Sequence, residues 1–185
     1  MDQPYPSGVW YRDYSSLVKE RLKFDRHQTL MNIGSGYVYE LCPRYDRLKR
    51  ADRENFWVTF FMAIGYAESG FNNNSGPMAG IMQLTCDNTA RRGYGCSACT
   101  SNSRLRKSPM IGIDCAMNII SHWARRGKLI GSHPYFETLR RNQHYKRKIR
   151  PTVQLYAPKD CGNNYQYNGY DWPLKQSQVQ NAWPY

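Results

Sequence analysis

The chain has 185 residues, enough for one domain with a sizeable core and too few for two ordinary ones. Hydrophobic residues make up 41% of it, which excludes a low-complexity or disordered chain, and no apolar run is long enough to span a membrane. The 26 Lys and Arg against 14 Asp and Glu give a formal charge of +12, which favours an anionic partner: nucleic acid, an acidic membrane surface or an acidic polymer.

Residues 1–14 carry two prolines, a glycine and several aromatics, and read as an extended arm packed on the domain. Residues 15–31 place Leu17, Leu22, Phe24 and Leu30 among charges, which predicts a helix capped by Ser15 or Ser16. Residues 36–50 read as a loop leading to a basic, charged helix start. The next helix is predicted from about Ala51 to Glu68. In it Trp57, Phe61, Ile64 and Glu68 form one stripe, with Phe56, Phe60, Ala63 and Ala67 beside it. A helix apolar over so much of its surface belongs at the centre of the domain. Gly65 weakens it and permits close approach nearby. Residues 70–80 read as loop, and GIMQLTCDNTARRGYG as the start of another helix. Residues 94–110 form a Ser/Cys/Gly-rich basic loop. Helices are predicted over 111–129 and about 133–150, and the tail from Pro151 has little periodicity. No segment alternates as a strand. The expected class is mainly α: one domain with a central buried helix over a 50–150 core, disulfide-stabilised loops and an irregular extension at 151–185.

Six cysteines are many for a cytosolic chain of this size and ordinary for an exported one. They allow three disulfides in fifteen pairings. Cys86, Cys96, Cys99 and Cys115 also admit a zinc site, though only one CxxC pair is present, in CSAC. A thioredoxin-like reading of CSAC lacks a surrounding βαβ pattern. MDQPYPSGVWYRD has no apolar leader core. The expectation is an extracytoplasmic protein, periplasmic or secreted, whose leader has been removed or which leaves the cell by another route. His27, His122, His133 and His144 show no metal spacing and read as core or surface residues.

Glu68 puts a carboxylate on a core stripe. A buried acid of this kind commonly pairs with an Arg or caps a neighbouring helix. It has a second use. Burial raises the pKa of a carboxyl group, and a protonated acid near neutrality can protonate a leaving alkoxide oxygen. Cleavage of a glycosidic bond needs that proton.

The residues after Glu68 bear on the choice. ESGF, a loop of asparagines and small residues, and then GIMQ resemble the lytic transglycosylase and goose-type lysozyme superfamily. Its pattern is Glu-Ser near a helix C-terminus, a short loop, then Gly-x-Met-Gln. SPMIGIDCAMNIISHW also looks like the family's segment before its next core helix. The resemblance covers roughly residues 50 to 150. It implies a lysozyme-like fold and cleavage of the β-1,4 bond between N-acetylmuramic acid and N-acetylglucosamine, or a deacetylated variant of that glycan. It implies Glu68 as acid and base, Ser69 as its orienter or a sugar contact, Gly80 as a point of close glycan approach, and Met82 and Gln83 facing the sugar. Read without the motif, Met82 is core filling and Gln83 helix surface. The family's Tyr-Asn pair, whose hydroxyl steadies the acid, is not reproduced. Tyr135 in PYFETLRR is the preferred counterpart, with Tyr145 and the late Tyr167-Asn168-Gly169 as alternatives.

Many glycosidases use two carboxylates. Asp87 is a candidate second acid, and Asp114 reads as a helix N-cap. The simplest mechanism uses Glu68 twice, with the substrate's N-acetyl group stabilising the oxocarbenium-like centre. The nucleophile is then the sugar's C6 hydroxyl or water, and the residues do not choose between them. The implied partner is peptidoglycan, a polyanion, bound by a monomer without cofactor or metal. The basic runs at 47–50 and 140–150 fit attraction to such a wall, or simply form solvated faces. A non-catalytic glycan-binding protein on the same fold is the alternative. A nucleic-acid binder, suggested by charge alone, lacks a reader motif.

Overall fold

The computed structural model describes residues 8–34, 36–72, 78–87, 92–130, 133, 135–140 and 145–163, with side chains from Tyr14 onward. The described residues are mainly helical. In chain order the helices are α1 (Gly8–Leu22), α2 (Asp25–Met31), α3 (Gly36–Leu41), α4 (Arg50–Ser69), α5 (Asn102–Lys107), α6 (Pro109–Ala124) and α7 (Arg150–Tyr156). Short 3-10 turns occur at Tyr45–Arg47, Glu137–Leu139 and Lys159–Cys161, and Tyr145–Ile149 is a π-helical turn leading into α7.

Helix α4 is the hub. It packs against α1, α2, α7, the π turn and the Glu137–Leu139 turn. Phe56, Trp57, Phe60, Phe61, Ala63, Ile64 and Ala67 are all buried, so the apolar members of both predicted stripes lie in the core. Their rings meet mostly edge to face, as with Trp57 on Phe60 at 5.4 Å. The polar end of Trp57 is satisfied inside the core: its Nε1–H donates to the Tyr45 hydroxyl at 2.7 Å. That hydroxyl lies 3.2 Å from the carbonyl of Met31, where α2 ends. Gly65 works as read from the sequence. A Cβ there would sit 3.2 Å from the Phe71 ring and 3.8 Å from Met82 Cε.

Several predicted boundaries differ. Helix α1 begins at Gly8, so residues 8–14 are helical where an extended arm was expected. The predicted 15–31 helix is two helices, broken at Phe24, whose φ of −72° and ψ of 138° are extended. GIMQ does not open a helix. Ala79 and Leu84 exchange both backbone hydrogen bonds, at 2.9 and 3.0 Å. Between them Gly80 and Gln83 have φ of 72° and 45°, a left-handed backbone that an α-helix excludes. Helical backbone resumes at Cys86 and Asp87. Among the described residues of the predicted 133–150 helix, Glu137–Leu139 form a 3-10 turn and Tyr145–Ile149 a π turn instead. The tail beyond 150 starts with α7, where Pro151 sits in the first turn and needs no N–H partner. Asp114 is no N-cap, since α6 starts at Pro109. Its carboxylate instead accepts from Arg26 Nη2 at 2.6 Å and lies 3.0 Å from Nε2 of the buried His27.

The six cysteines form three disulfides: Cys42–Cys161, Cys86–Cys99 and Cys96–Cys115. The first ties the end of α3 to the last described turn. Of the other two, Cys96–Cys115 holds the 94–101 loop against α6 and Cys86–Cys99 ties it to the residues after the GIMQ turn; together they use all four sulfurs that a zinc site would need. No helix among the described residues is long and apolar enough to cross a membrane.

Candidate active site

Glu68 lies in the last turn of α4, half-buried. The helix ends there because Gly70 takes the left-handed conformation, φ 60°, and returns its N–H to the Tyr66 carbonyl at 3.0 Å. Phe71, also at positive φ, turns inward and stacks between Tyr14 and Tyr66. The apolar packing that buries the helix thus brings the acid to its rim.

The Glu68 pKa is pushed up from 4.5 to about 7. Burial is the largest cause, and the nearby Glu137 charge acts in the same direction. Hydrogen bonding from Thr138 and the charge of Lys148 oppose the rise. The C-terminal end of a helix, being partially negative, also disfavours an ionised carboxylate. Glu68 is therefore divided between acid and carboxylate near neutral pH, which suits a group that must give a proton and take one back.

Thr138 holds the acid. Its hydroxyl donates to Glu68 Oε1 at 2.6 Å. The sequence reading sought a tyrosine for this role. Tyr135 lies close enough for the Glu68 charge to act on it, but its hydroxyl accepts the Thr85 N–H at 3.2 Å. That bond ties the 135–138 segment to the turn after GIMQ. Burial is the main reason the Tyr135 pKa is raised. Tyr145 is buried and donates to Glu40 Oε1 at 3.0 Å. Tyr167 lies outside the described residues.

The other predicted residues join α4 to the 79–84 turn. Ser69 Oγ lies 2.8 Å from the Ile81 carbonyl and 3.1 Å from that of Gly65. A Cβ on Gly80 would sit 3.1 Å from the Leu105 carbonyl, so the close approach it permits here is within the protein. Met82 is 1% exposed and packs beneath Gly65. Gln83 is buried, and its Nε2 donates to the Gly80 carbonyl at 2.9 Å. These residues brace the turn beside the acid. Asp87 is exposed at the following helix start, next to the 86–100 disulfide loop.

Three residues near the acid escaped the sequence reading. Glu137 and Thr138 sit in PYFETLRR, two and three residues after the tyrosine. Lys148, in the π turn, places its ammonium 5.7 Å from the Tyr66 ring centroid and faces Glu68. Their common signal was proximity in sequence to Tyr135 and to the 140–150 basic run. Of that run, Lys146, Arg147 and Arg150 are exposed. No group of three or more His, Cys, Asp or Glu among the described residues is placed to hold a metal ion.

No protein-family model matches the chain, and no curated protein matches it by sequence. Two solved structures match the fold. Wild-type Bd0314 DslA, a Bdellovibrio protein, is 20% identical with a TM-score of 0.66, over 80% of this chain and 91% of the other. A Glu-to-Gln mutant of the same protein gives a TM-score of 0.65 at the same identity and coverage. What the likeness establishes is a shared helical fold across most of both chains.

Proposed function

We propose that the chain is a glycosidase that cleaves the β-1,4 bond between N-acetylmuramic acid and N-acetylglucosamine in peptidoglycan, with Glu68 as general acid and then general base. The observation that carries this is the half-buried Glu68, held by Thr138 at 2.6 Å with its pKa raised to about 7. Glu68 donates its proton to the glycosidic oxygen as the bond to C1 breaks. The substrate's own N-acetyl group stabilises the oxocarbenium-like centre. The Thr138 hydroxyl steadies the carboxylate that remains, because a donor favours the charged form. Glu68 then removes a proton from the nucleophile, either water or the C6 hydroxyl of the same sugar.

Further observations support the reading. ESGF and GIMQ, the motifs shared with the lytic transglycosylase and goose-type lysozyme superfamily, converge on this acid through Ser69 and Ile81. The net charge of +12 suits a polyanionic wall. Three disulfides, with no membrane-spanning helix among the described residues, are consistent with an extracytoplasmic protein. The reading is tested by the turbidity of purified sacculi. Wild-type protein clears the suspension and Glu68→Gln does not. Binding to sacculi without clearing by either protein would favour a non-catalytic glycan-binding role.

A further inference from the structure

We propose that His133 is a positioning residue for Glu68: its Nδ1 accepts the backbone N–H groups of Tyr135 and Phe136 and so sets the turn that delivers the Thr138 hydroxyl to the acid. The proposal rests on the reading of Glu68 as the proton donor.

His133 is fully buried. Nδ1 lies 2.9 Å from the Phe136 nitrogen and 3.2 Å from that of Tyr135. Two N–H groups converging on one ring nitrogen require its lone pair, so the proton sits on Nε2. Among the described residues that buried Nε2–H has no hydrogen-bond partner. Burial, aided by the Arg140 charge, pushes the imidazole pKa down to about 3, so the lone pair stays available at any working pH. The carbonyl of His133 accepts Arg140 Nε at 3.1 Å, which closes the far end of the same segment. The ring packs against Phe136, 5.5 Å between centroids, and Trp123 at 6.5 Å.

Between these two anchors lie the residues that address the acid. Tyr135 reaches Thr85, Glu137 adds its charge, and Thr138 donates to Glu68. The segment has one turn of 3-10 helix to define it, Glu137–Leu139. Such a turn has little stability of its own. A side-chain acceptor for the N–H groups two and three residues on is the device that starts many turns and helices, normally built from Asn, Asp, Ser or Thr. Here an imidazole supplies it. The charged and titratable groups acting on Glu68 are Glu137 from the turn and Lys148 from the π turn, with Tyr135 and Thr138 beside it.

The test separates the acceptor from the bulk of the ring. Asn carries its oxygen where Nδ1 lies, Gln carries its polar end further out, and Leu has no acceptor. The Glu68 side-chain carboxyl is titrated by carbon-13 NMR in wild type and in His133→Asn, His133→Gln and His133→Leu, with Glu68→Gln to assign the signal. The expected result is that His133→Asn titrates within about half a unit of wild type. His133→Gln and His133→Leu fall by about one unit or more towards the ordinary carboxylate range, because a loosened turn uncovers the acid and withdraws Glu137, and the relief of burial, the largest cause of the raised pKa, outweighs the loss of the Thr138 bond. If the Leu variant does not fold, the Asn and Gln pair decides the matter. The proposal is overturned if the Gln variant titrates like wild type, or if the Asn variant shifts as far as the others or fails to fold. The titration reads positioning directly, whereas sacculus clearing by Glu68→Gln would sink the glycosidase reading and leave the titration standing.

Discussion

Replacing Glu68 with Gln should stabilise the protein at alkaline pH while abolishing its chemistry. The carboxyl titrates near 4.5 when unfolded and about 7 when folded. The folded chain therefore binds the proton more tightly, and stability falls as pH rises from the first value through the second. Two and a half pH units at 1.36 kcal/mol each come to about 3 kcal/mol. Gln keeps an acceptor for Thr138 and the volume of the protonated acid, so it stands in for the neutral form at every pH. Denaturant unfolding at pH 4, 6 and 8 should show the variant's stability relative to wild type rising by about 3 kcal/mol over that range, somewhat more of it between pH 4 and 6 than between pH 6 and 8. A difference that does not change with pH, or a variant that loses ground at pH 8, would refute the reasoning. It would mean that Glu68 is ionised and compensated in the folded protein.

Thr138→Val removes the hydroxyl that favours ionised Glu68. The Glu68 pKa should rise further, the alkaline limb of the pH–activity profile should move upward, and turnover should drop about tenfold. Glu137→Gln should do the opposite to the profile, moving the alkaline limb downward, because it removes a charge that raises the Glu68 pKa. The opposite signs of these two neighbouring substitutions are the check. Replacing both members of Cys42–Cys161, which span 119 residues, should cost about 4–5 kcal/mol in denaturant unfolding. Cys86–Cys99, spanning 13, should cost about 3 kcal/mol and leave the acid's titration unchanged.

The central helix was legible to within a residue at each end, because its apolar content lies in one uninterrupted segment and its stop is a glycine able to adopt φ 60°. The placement of Glu68 followed from that helix. The turn at GIMQ was not legible, because its left-handed Gln83 is imposed by contacts distant in sequence. These are the Ser69 hydroxyl on the Ile81 carbonyl and Leu105 beneath Gly80. The segment after His133 carries helix-forming residues, and local propensity there yields to a buried imidazole that captures two N–H groups. Thr138 was missed for a chemical reason. A tyrosine hydroxyl was sought, and the structure uses a threonine three residues on. The disulfide partners were open among fifteen pairings because spacing alone does not bring Cys42 to Cys161.

The most direct measurement is mass spectrometry of purified peptidoglycan after digestion by wild-type protein and by Glu68→Gln, on acetylated and deacetylated glycan. The account predicts disaccharide-peptide fragments from wild type on at least one of the two substrates and none from the variant. Their ends will also report the nucleophile, since 1,6-anhydro ends mean the C6 hydroxyl and reducing ends mean water. Equal fragment yields from both proteins, or intact glycan from wild type on both substrates, would contradict the claim that Glu68 cleaves this bond.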